Sequence, residues 1–172
     1  MRLVRYAVAM SLDGYIAGPN GEADWIPRNP GVDFAAVFAQ FDTLLVGRRT
    51  FERMVDAGRA RTPGMRTIVF SRTLRPEDYP DFTIAAHGAN ETVTALKAAP
   101  GKDIWLFGGG SLFGSLAEAG LVDTVEVSVV PILLGGGVPL RPASGGRRQI
   151  KLSLTGHKVY PVGIVSLVYA VV

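Results

Sequence analysis

The sequence contains no cysteine. This absence excludes disulfide bonds, thiolate catalysis and zinc sites built on sulfur ligands. Histidine is nearly absent as well, because His87 and His157 are the only two copies and lie far apart, outside any known ligand spacing. Since imidazole is a leading metal ligand in proteins, we expect no metal site.

Long apolar segments are also lacking. No hydrophobic run reaches the ~20 residues that a membrane-spanning helix needs. Arg5 interrupts the apolar start of the chain and Asp13 soon follows, which argues against a signal peptide. The 172 residues, 48% of them hydrophobic, suffice for one core and are too few for two ordinary domains. We therefore expect a single soluble domain over residues 1–172, cytoplasmic by default and without a membrane partner.

A strong charge of one sign is the third absence. The formal net charge is +3, and no basic run is longer than Arg147–Arg148, so a nucleic-acid partner is not indicated. Of the 18 basic residues 14 are arginines, whose planar guanidinium groups suit phosphate. The composition therefore favours a small phosphorylated ligand.

Short runs of β-branched and apolar residues alternate with segments of helical period. The runs predict strands over residues 3–10, 43–46, 66–70, 103–107 and 124–130. Between them, Phe34, Val37, Phe38 and Phe41 follow the i, i+3, i+4, i+7 spacing and predict one buried helix face within residues 33–41. Further helices are predicted near Thr50, from the cap Asn90 to Ala99, and from Ser111 to Ala119.

This alternation is typical of an α/β protein. It predicts one three-layer domain, in which a mostly parallel twisted sheet of about eight strands carries helices on both faces. The tail differs, because residues 150–159 and 164–172 are two strand-like runs joined by a turn. They predict an antiparallel hairpin at a sheet edge, preceded by one long loop over residues 135–146.

Small, hydroxyl and arginine residues follow the predicted strands. Open parallel sheets bind ligands beyond the carboxyl ends of their strands, so these residues are expected to meet at one edge. Glycine allows close approach of the backbone, and a helix that starts just after it directs unpaired N–H groups toward an anion. Turns at Gly47 and Gly108 therefore predict a ligand with more than one phosphate, although each turn alone has the ordinary explanation of chain reversal.

Three common motifs are missing. The segment from Gly108 to Gly114 departs from the G-x-G-x-x-G dinucleotide fingerprint, because Phe113 takes the place of the last glycine. Neither G-x-x-x-x-G-K-[ST] nor G-x-S-x-G is present. A standard Rossmann domain, a P-loop nucleotide hydrolase and a serine hydrolase are all disfavoured.

Four blocks, taken in order, resemble the dihydrofolate reductase superfamily, and its riboflavin-biosynthesis reductase branch in particular. They are Val8–Ala17, Val46–Phe51, Ile68–Arg72 and Phe107–Phe113. The similarity covers essentially the whole chain and implies the fold predicted above. It also implies an NADPH-dependent reductase that transfers a hydride to a small heterocycle, either pyrimidine-like or pterin-like.

The resemblance further implies which residues bind the cofactor. Gly47, Arg48 and Thr50 match the adenosine 2'-phosphate and pyrophosphate site, and Ser71 with Arg72 completes the adenosine pocket. Ala9 and Ile16 match residues that flank the nicotinamide. The second phosphate turn, in which the first two glycines match an unusual cis peptide, corresponds to Gly108, Gly109, Gly110, Ser111 and Leu112.

The substrate side is less defined. By resemblance, Asp33 matches a carboxylate that binds the substrate ring and helps to protonate it, but an aspartate before an apolar helix is also a preferred N-cap, and the cap is the favoured interpretation. Asp13 likewise stands either beside the active site or simply in an Asp-Gly turn. Phe113 replaces a tyrosine usual in folate reductases, which removes a hydroxyl near the nicotinamide.

Two other functions compete with the reductase. The chain is alternatively a nucleotide-binding module that retains the cleft without catalysis, or a structural domain that pairs through its C-terminal hairpin. An exposed apolar edge strand needs covering, so we expect a homodimer.

Overall fold

The computed structural model describes residues 1–27, 31–143 and 149–172. It contains ten strands and four α-helices in these ranges. In chain order they are β1 (Val4–Ser11), β2 (Tyr15–Ala17), α1 (Phe34–Phe38), β3 (Phe41–Gly47), α2 (Arg48–Asp56), β4 (Arg66–Phe70), β5 (Thr83–Ala85), α3 (Ala89–Ala98), β6 (Asp103–Gly108), α4 (Gly110–Glu118), β7 (Thr124–Val130), β8 (Val138–Pro139), β9 (Leu152–Val159) and β10 (Val165–Val171).

Eight strands form one sheet in the order β5-β4-β3-β6-β1-β7-β10-β9. All neighbouring pairs from β5 to β7 are parallel, whereas β10 pairs antiparallel with both β7 and β9. The predicted hairpin is therefore confirmed, with β9 at the edge, and so is the mostly parallel sheet.

Alternation along the strands divides the core between the two faces of the sheet. Leu45, Ile104 and Leu106 point to the face that α3 and α4 cover, while Leu44, Val46 and Val69 point to the face covered by α2, whose Phe51 is fully buried. The helices thus lie on both faces, as the sequence predicts. No helix in the described ranges is long and apolar enough to cross a membrane.

Helix α1 corrects one prediction. It has five residues, none of them buried, and 52% of Phe34 is exposed. Phe41 is buried but begins β3, so the four aromatic and apolar residues do not share one helix face. The helix is too short to bury its own stripe, and Phe38 instead packs on Trp105 of the sheet, with ring centroids 5.5 Å apart.

Other differences concern element boundaries and short strands. The N-cap of α3 is Gly88, in the left-handed region at φ 67°, and not Asn90, which lies inside the first turn. The predicted loop over residues 135–146 contains β8, which pairs with β2 in a separate two-stranded sheet, and residues 144–146 of that loop lie outside the described part. Strands of two or three residues carry too little periodicity to be read from sequence.

Candidate functional site

Four parallel strands end side by side at one rim of the sheet. They are neighbours in the order β4, β3, β6 and β1. Their carboxyl ends lead directly into Ser71, Gly47, Gly108 and Ser11. The turns after these strands therefore share one edge, where open parallel sheets bind ligands.

The two glycine turns touch each other at this rim. A Cβ atom added to Gly47 would lie 3.8 Å from the carbonyl oxygen of Gly108 and from the amide nitrogen of Gly109, and 4.0 Å from the Cβ of Leu112. A Cβ on Gly109 would lie 3.3 Å from the hydroxyl of Thr50. Residues widely separated in the chain thus form one continuous surface at the rim of the sheet.

Both turns lead into nine-residue helices that have a glycine as N-cap. The N-caps are Gly47 for α2 and Gly109 for α4, and neither helix has a side-chain cap among the described residues. First-turn amides that no side chain caps, together with the positive end of the helix dipole, favour anions. Two such ends in contact form a surface suited to anionic groups.

The Gly108–Gly109 peptide bond is cis, as the resemblance implies. Gly108 has a φ of 133°, which residues with a side chain rarely adopt, and a Cβ there would meet no atom within 4 Å among the described residues beyond its chain neighbours. The backbone of this turn therefore faces open space at the rim, where a ligand can approach it closely.

Positive charge is concentrated at the start of α2. The Arg48 Nη1 atom donates to both carboxylate oxygens of Glu52, at 3.0 and 3.1 Å, and both side chains are partly exposed. Arg72 lies exposed just beyond the end of β4. A phosphate bound at the start of α2 would compete with Glu52 for Arg48.

Ser71 is buried and shapes its own turn. Its hydroxyl oxygen accepts from the backbone N–H groups of Thr73, at 3.2 Å, and Leu74, at 3.0 Å. Its role in the structure is therefore to hold the turn that carries Arg72.

Ala9 and Ile16 lie on either side of the turn after β1. Ala9 lies near the end of β1, where it pairs with Ser128 of β7. Ile16 is the central residue of β2, which pairs with β8. The small sheet formed by β2 and β8 thus carries Ile16, whereas Ala9 lies in the main sheet.

Asp33 is the N-cap of α1. Its carboxylate accepts from the Ala36 N–H at 3.0 Å, and the side chain is exposed. The cap that the sequence favours is therefore present, and Phe38 of the same helix packs on Trp105 as described above.

Phe113 does not stand at the rim. It is 5% exposed and stacks on Tyr6, with ring centroids 3.9 Å apart and planes 8° from parallel. Burial raises the pKa of the Tyr6 phenol above its ordinary value, so this ring stays neutral. The resemblance places residue 113 near the nicotinamide. In the structure, Phe113 instead packs in the core.

Two features of the rim are missing from the sequence predictions. One is Glu52, whose i,i+4 spacing from Arg48 was available as a signal. The other is the partner of Asp13, because its carboxylate accepts from the backbone of Leu134 and Gly135, more than 120 positions away. No local sequence pattern predicts a contact between residues so far apart in the chain.

The order of strands and the paired glycine turns define a dihydrofolate reductase-like domain. Comparison with known families gives the narrower assignment: the chain belongs to the RibD C-terminal domain family, whose model matches residues 2–166. It is thus a reductase-like domain of the RibD type.

Relatives and solved structures agree with this family. The uncharacterized protein YyaP of Bacillus subtilis (strain 168) is 34% identical over 94% of this chain and 91% of its own length. The riboflavin biosynthesis protein RibD of Mycobacterium tuberculosis (strain ATCC 25618 / H37Rv) is 30% identical over 78% of this chain, which spans only 44% of that protein.

Among solved structures, a candidate riboflavin biosynthesis protein from Shewanella sp. PV-4 superposes with a TM-score of 0.81 and 28% identity, covering 100% of this chain and 99% of that one. A deaminase/reductase of Thermotoga maritima has a TM-score of 0.73 at 16% identity, with 99% and 57% coverage, and supports the fold alone.

Proposed function

We propose that this protein is an NADPH-dependent reductase that transfers a hydride to a small, planar, polar heterocycle. The observation that carries the proposal is the contact between the Gly47 and Gly109 turns, each of which starts a helix without a side-chain cap. A dinucleotide with several phosphates matches two adjacent anion sites.

The roles of the residues follow from their places on the rim. Gly47 and Thr50, with Gly108, Gly109, Gly110, Ser111 and Leu112, would hold the pyrophosphate by backbone amides and hydroxyls. Arg48 and Arg72 would bind the 2'-phosphate by charge-assisted hydrogen bonds, beside the turn that Ser71 holds. Ala9 and Ile16 would flank the nicotinamide, which supplies the hydride when bound.

The substrate is proposed to lie beyond the nicotinamide wall, on the side of α1. The Mycobacterium tuberculosis relative is named for riboflavin biosynthesis, and the Thermotoga maritima neighbour is named a 5-amino-6-(5-phosphoribosylamino)uracil reductase. An aminopyrimidinone is therefore the first substrate to test, and a dihydropterin is the second.

A second candidate, a non-catalytic NADP(H)-binding module, is favoured by one observation. The carboxylate of Asp33 serves as a helix cap and is exposed to water. The cap gives Asp33 a structural role that does not require catalysis.

Binding and turnover separate the two candidates. Titration with NADPH and NADH, followed by tryptophan fluorescence, should show saturable binding with a clear preference for NADPH. Oxidation of NADPH is then followed at its absorbance with the aminopyrimidinone and with dihydrofolate. Turnover with either supports the reductase, whereas binding without turnover favours the module, and failure to bind either nucleotide contradicts both.

Two substitutions at Asp33 separate its roles. Asparagine caps a helix about as well as aspartate does but cannot carry the same proton, whereas alanine removes the cap at a cost of about 1 kcal/mol. If Asp33 protonates the substrate, Asp33→Asn lowers turnover and leaves the melting temperature unchanged. If it is only a cap, Asp33→Asn keeps wild-type turnover and Asp33→Ala alone lowers the melting temperature.

We also propose a homodimer in which a second copy covers β9. This edge strand is eight residues long, with Leu152 42% exposed, Leu154 53% exposed and Val159 67% exposed. Long apolar edges invite pairing with another strand. Light scattering should give twice the chain mass, and Leu154→Lys should return the monomer. A wild-type monomer at all concentrations would contradict the proposal.

A further inference from the structure

The carboxylate of Asp13 links two loops of the rim. It accepts from the Ser11 hydroxyl at 2.6 Å, from the Leu134 N–H at 3.1 Å and from the Gly135 N–H at 2.7 Å. These bonds, the one from Ser11 first, lower the pKa of Asp13 below its ordinary value. Although the side chain is exposed, its two oxygens are engaged by protein donors on both sides.

Ser11 fixes the orientation of this carboxylate. The residue is fully buried at the end of β1, and its hydroxyl oxygen also accepts from the Tyr15 N–H at 3.0 Å. The Gly14 N–H closes the turn onto the Ser11 carbonyl at 3.0 Å. The turn that presents Asp13 is therefore anchored in the sheet.

On the other side, Asp13 holds the segment that follows β7. The adjacent backbone N–H groups of Leu134 and Gly135 both donate to this carboxylate. Gly135 has a φ of 71°, and successive N–H groups in such a turn form a backbone conformation suited to binding anions. Two further bonds join the loops on either side of this point, from Leu12 N–H to the Ile132 carbonyl and from Leu140 N–H to the Gly14 carbonyl, each at 2.9 Å.

The hydrogen bonds between these two loops determine the position of Ile16, which is proposed to flank the nicotinamide. The joined loops continue as β2 and β8, in which Tyr15 pairs with Pro139 and Ala17 with Val138, so that Ile16 lies between the two pairs. Just beyond, the carbonyl of Pro139 approaches the start of α4, where a Cβ on Gly110 would lie 2.7 Å from it. One segment thus supports both the nicotinamide wall and the second phosphate turn.

We infer that Asp13 is a positioning residue for the nicotinamide. It holds residues 131–140 against the turn after β1 and thereby fixes Ile16, and it acts as a permanent hydrogen-bond acceptor rather than as a proton donor. The inference rests on the proposed NADPH site.

The test compares Asp13→Asn with Asp24→Asn. Asparagine has nearly the same shape but turns an amide N–H₂ toward a backbone donor, so one loop bond is lost. Asp24 is an exposed aspartate on the loop after β2 that makes no bond within the described ranges, and its variant controls for loss of one negative charge. Ser11→Ala removes the hydroxyl that orients Asp13 and should give a weaker form of the same effect.

Three readouts are taken with the full chain and NADPH. In Asp13→Asn, hydrogen exchange should accelerate at residues 131–140, and the emission of bound NADPH should change while its Kd shifts by less than about threefold, because the phosphate turns remain in place. With a heterocycle that the wild type reduces, kcat should fall roughly ten- to a hundredfold with little change in KM, because a misplaced reacting group slows the chemical step. The Asp24→Asn variant should match the wild type in all three.

The outcomes separate this inference from the proposed function. Unchanged exchange at residues 131–140, or faster exchange with unchanged NADPH emission and unchanged kcat, overturns the positioning role. If the wild type binds NADPH but reduces neither heterocycle, the reductase proposal loses support, and the emission of bound NADPH still decides whether Asp13 positions the nicotinamide. If the wild type does not bind NADPH, both fail.

Discussion

The two glycine turns of the rim start helices of equal length, yet their surroundings differ. The α2 turn is flanked by Arg48 and Arg49 and is partly exposed, with Glu52 as its internal counter-charge. The α4 turn has no basic residue in its helix, buries Gly110, and packs against Pro139 and Pro142. The first turn thus differs from the second in charge, and the second from the first in how closely its backbone is packed. In the proposed complex, we expect the arginines of the α2 turn to select the 2'-phosphate and the α4 turn to bind by close backbone approach.

The largest expected effect on stability is at the turn that starts α4, where Gly110 is closely packed. Gly110→Ala would bring a Cβ within 2.7 Å of the Pro139 carbonyl oxygen and 2.9 Å of the Pro142 Cδ. Overpacking of this kind costs about 1–3 kcal/mol of unfolding free energy, which urea denaturation measures. NADPH affinity should fall as well, because the start of α4 must move.

Gly114→Ala on the same helix is the matched control. Outside its own helix, and within the part of the chain that the structure describes, its Cβ would meet only the Arg141 side chain, at 3.8 Å, which is an ordinary contact. An alanine inside a helix gains roughly 0.5–1 kcal/mol over glycine, so this variant should be no less stable than the wild type. Equal destabilisation by both substitutions would contradict the close approach at Gly110.

Charge selection at the other turn is tested with the double variant Arg48→Ala/Arg72→Ala. Loss of hydrogen bonds from two charged groups should weaken NADPH binding about tenfold or more and leave NADH binding nearly unchanged, so that the preference disappears. Arg66→Ala is the control, since Arg66 lies at the opposite end of β4. A double variant that still prefers NADPH would contradict the placement of the 2'-phosphate.

A smaller effect of opposite sign is expected at Glu52. Its carboxylate occupies the Arg48 guanidinium at 3.0 and 3.1 Å, so Glu52→Gln should release a cation for the phosphate. Exposed i,i+4 ion pairs are weak, and the gain in NADPH affinity should be about twofold, with no gain for NADH. Both nucleotides are titrated under the same salt conditions, and an equal gain for the two would show that Glu52 does not act on the 2'-phosphate.

The smallest effect concerns pH, because Asp13 is exposed. Its folded pKa is depressed, so its bonds contribute stability above the pKa of an unfolded aspartate, and this contribution disappears as the pH falls through the folded value. The difference in unfolding free energy between wild type and Asp13→Asn should be constant near neutral pH and shrink in acid. A difference that grows on acidification would contradict the carboxylate as acceptor.

Much of this molecule is readable from its sequence, for local reasons. Runs of β-branched and apolar residues give the strands Arg66–Phe70 and Thr124–Val130 at their observed bounds, and glycine at the ends of strands locates both turns of the rim. The buried helix face predicted near Asp33 is wrong because α1, with about one and a half turns, is too short to bury its apolar residues, and because Phe41 belongs to the next strand. Short β2 and β8 are missed because pairing with each other, and not periodicity, makes them strands.

What the sequence determined by itself was most of the longer elements, their alternation and the residue types of each turn, because propensity and hydrophobic period act over a few residues. Only the tertiary structure decided that Gly47 lies against Gly109, that Phe113 belongs to the core, and that Asp13 is held by Leu134 and Gly135. Those contacts depend on the order of strands in the sheet. That order is set by burial of the whole core at once rather than by any local stretch of chain.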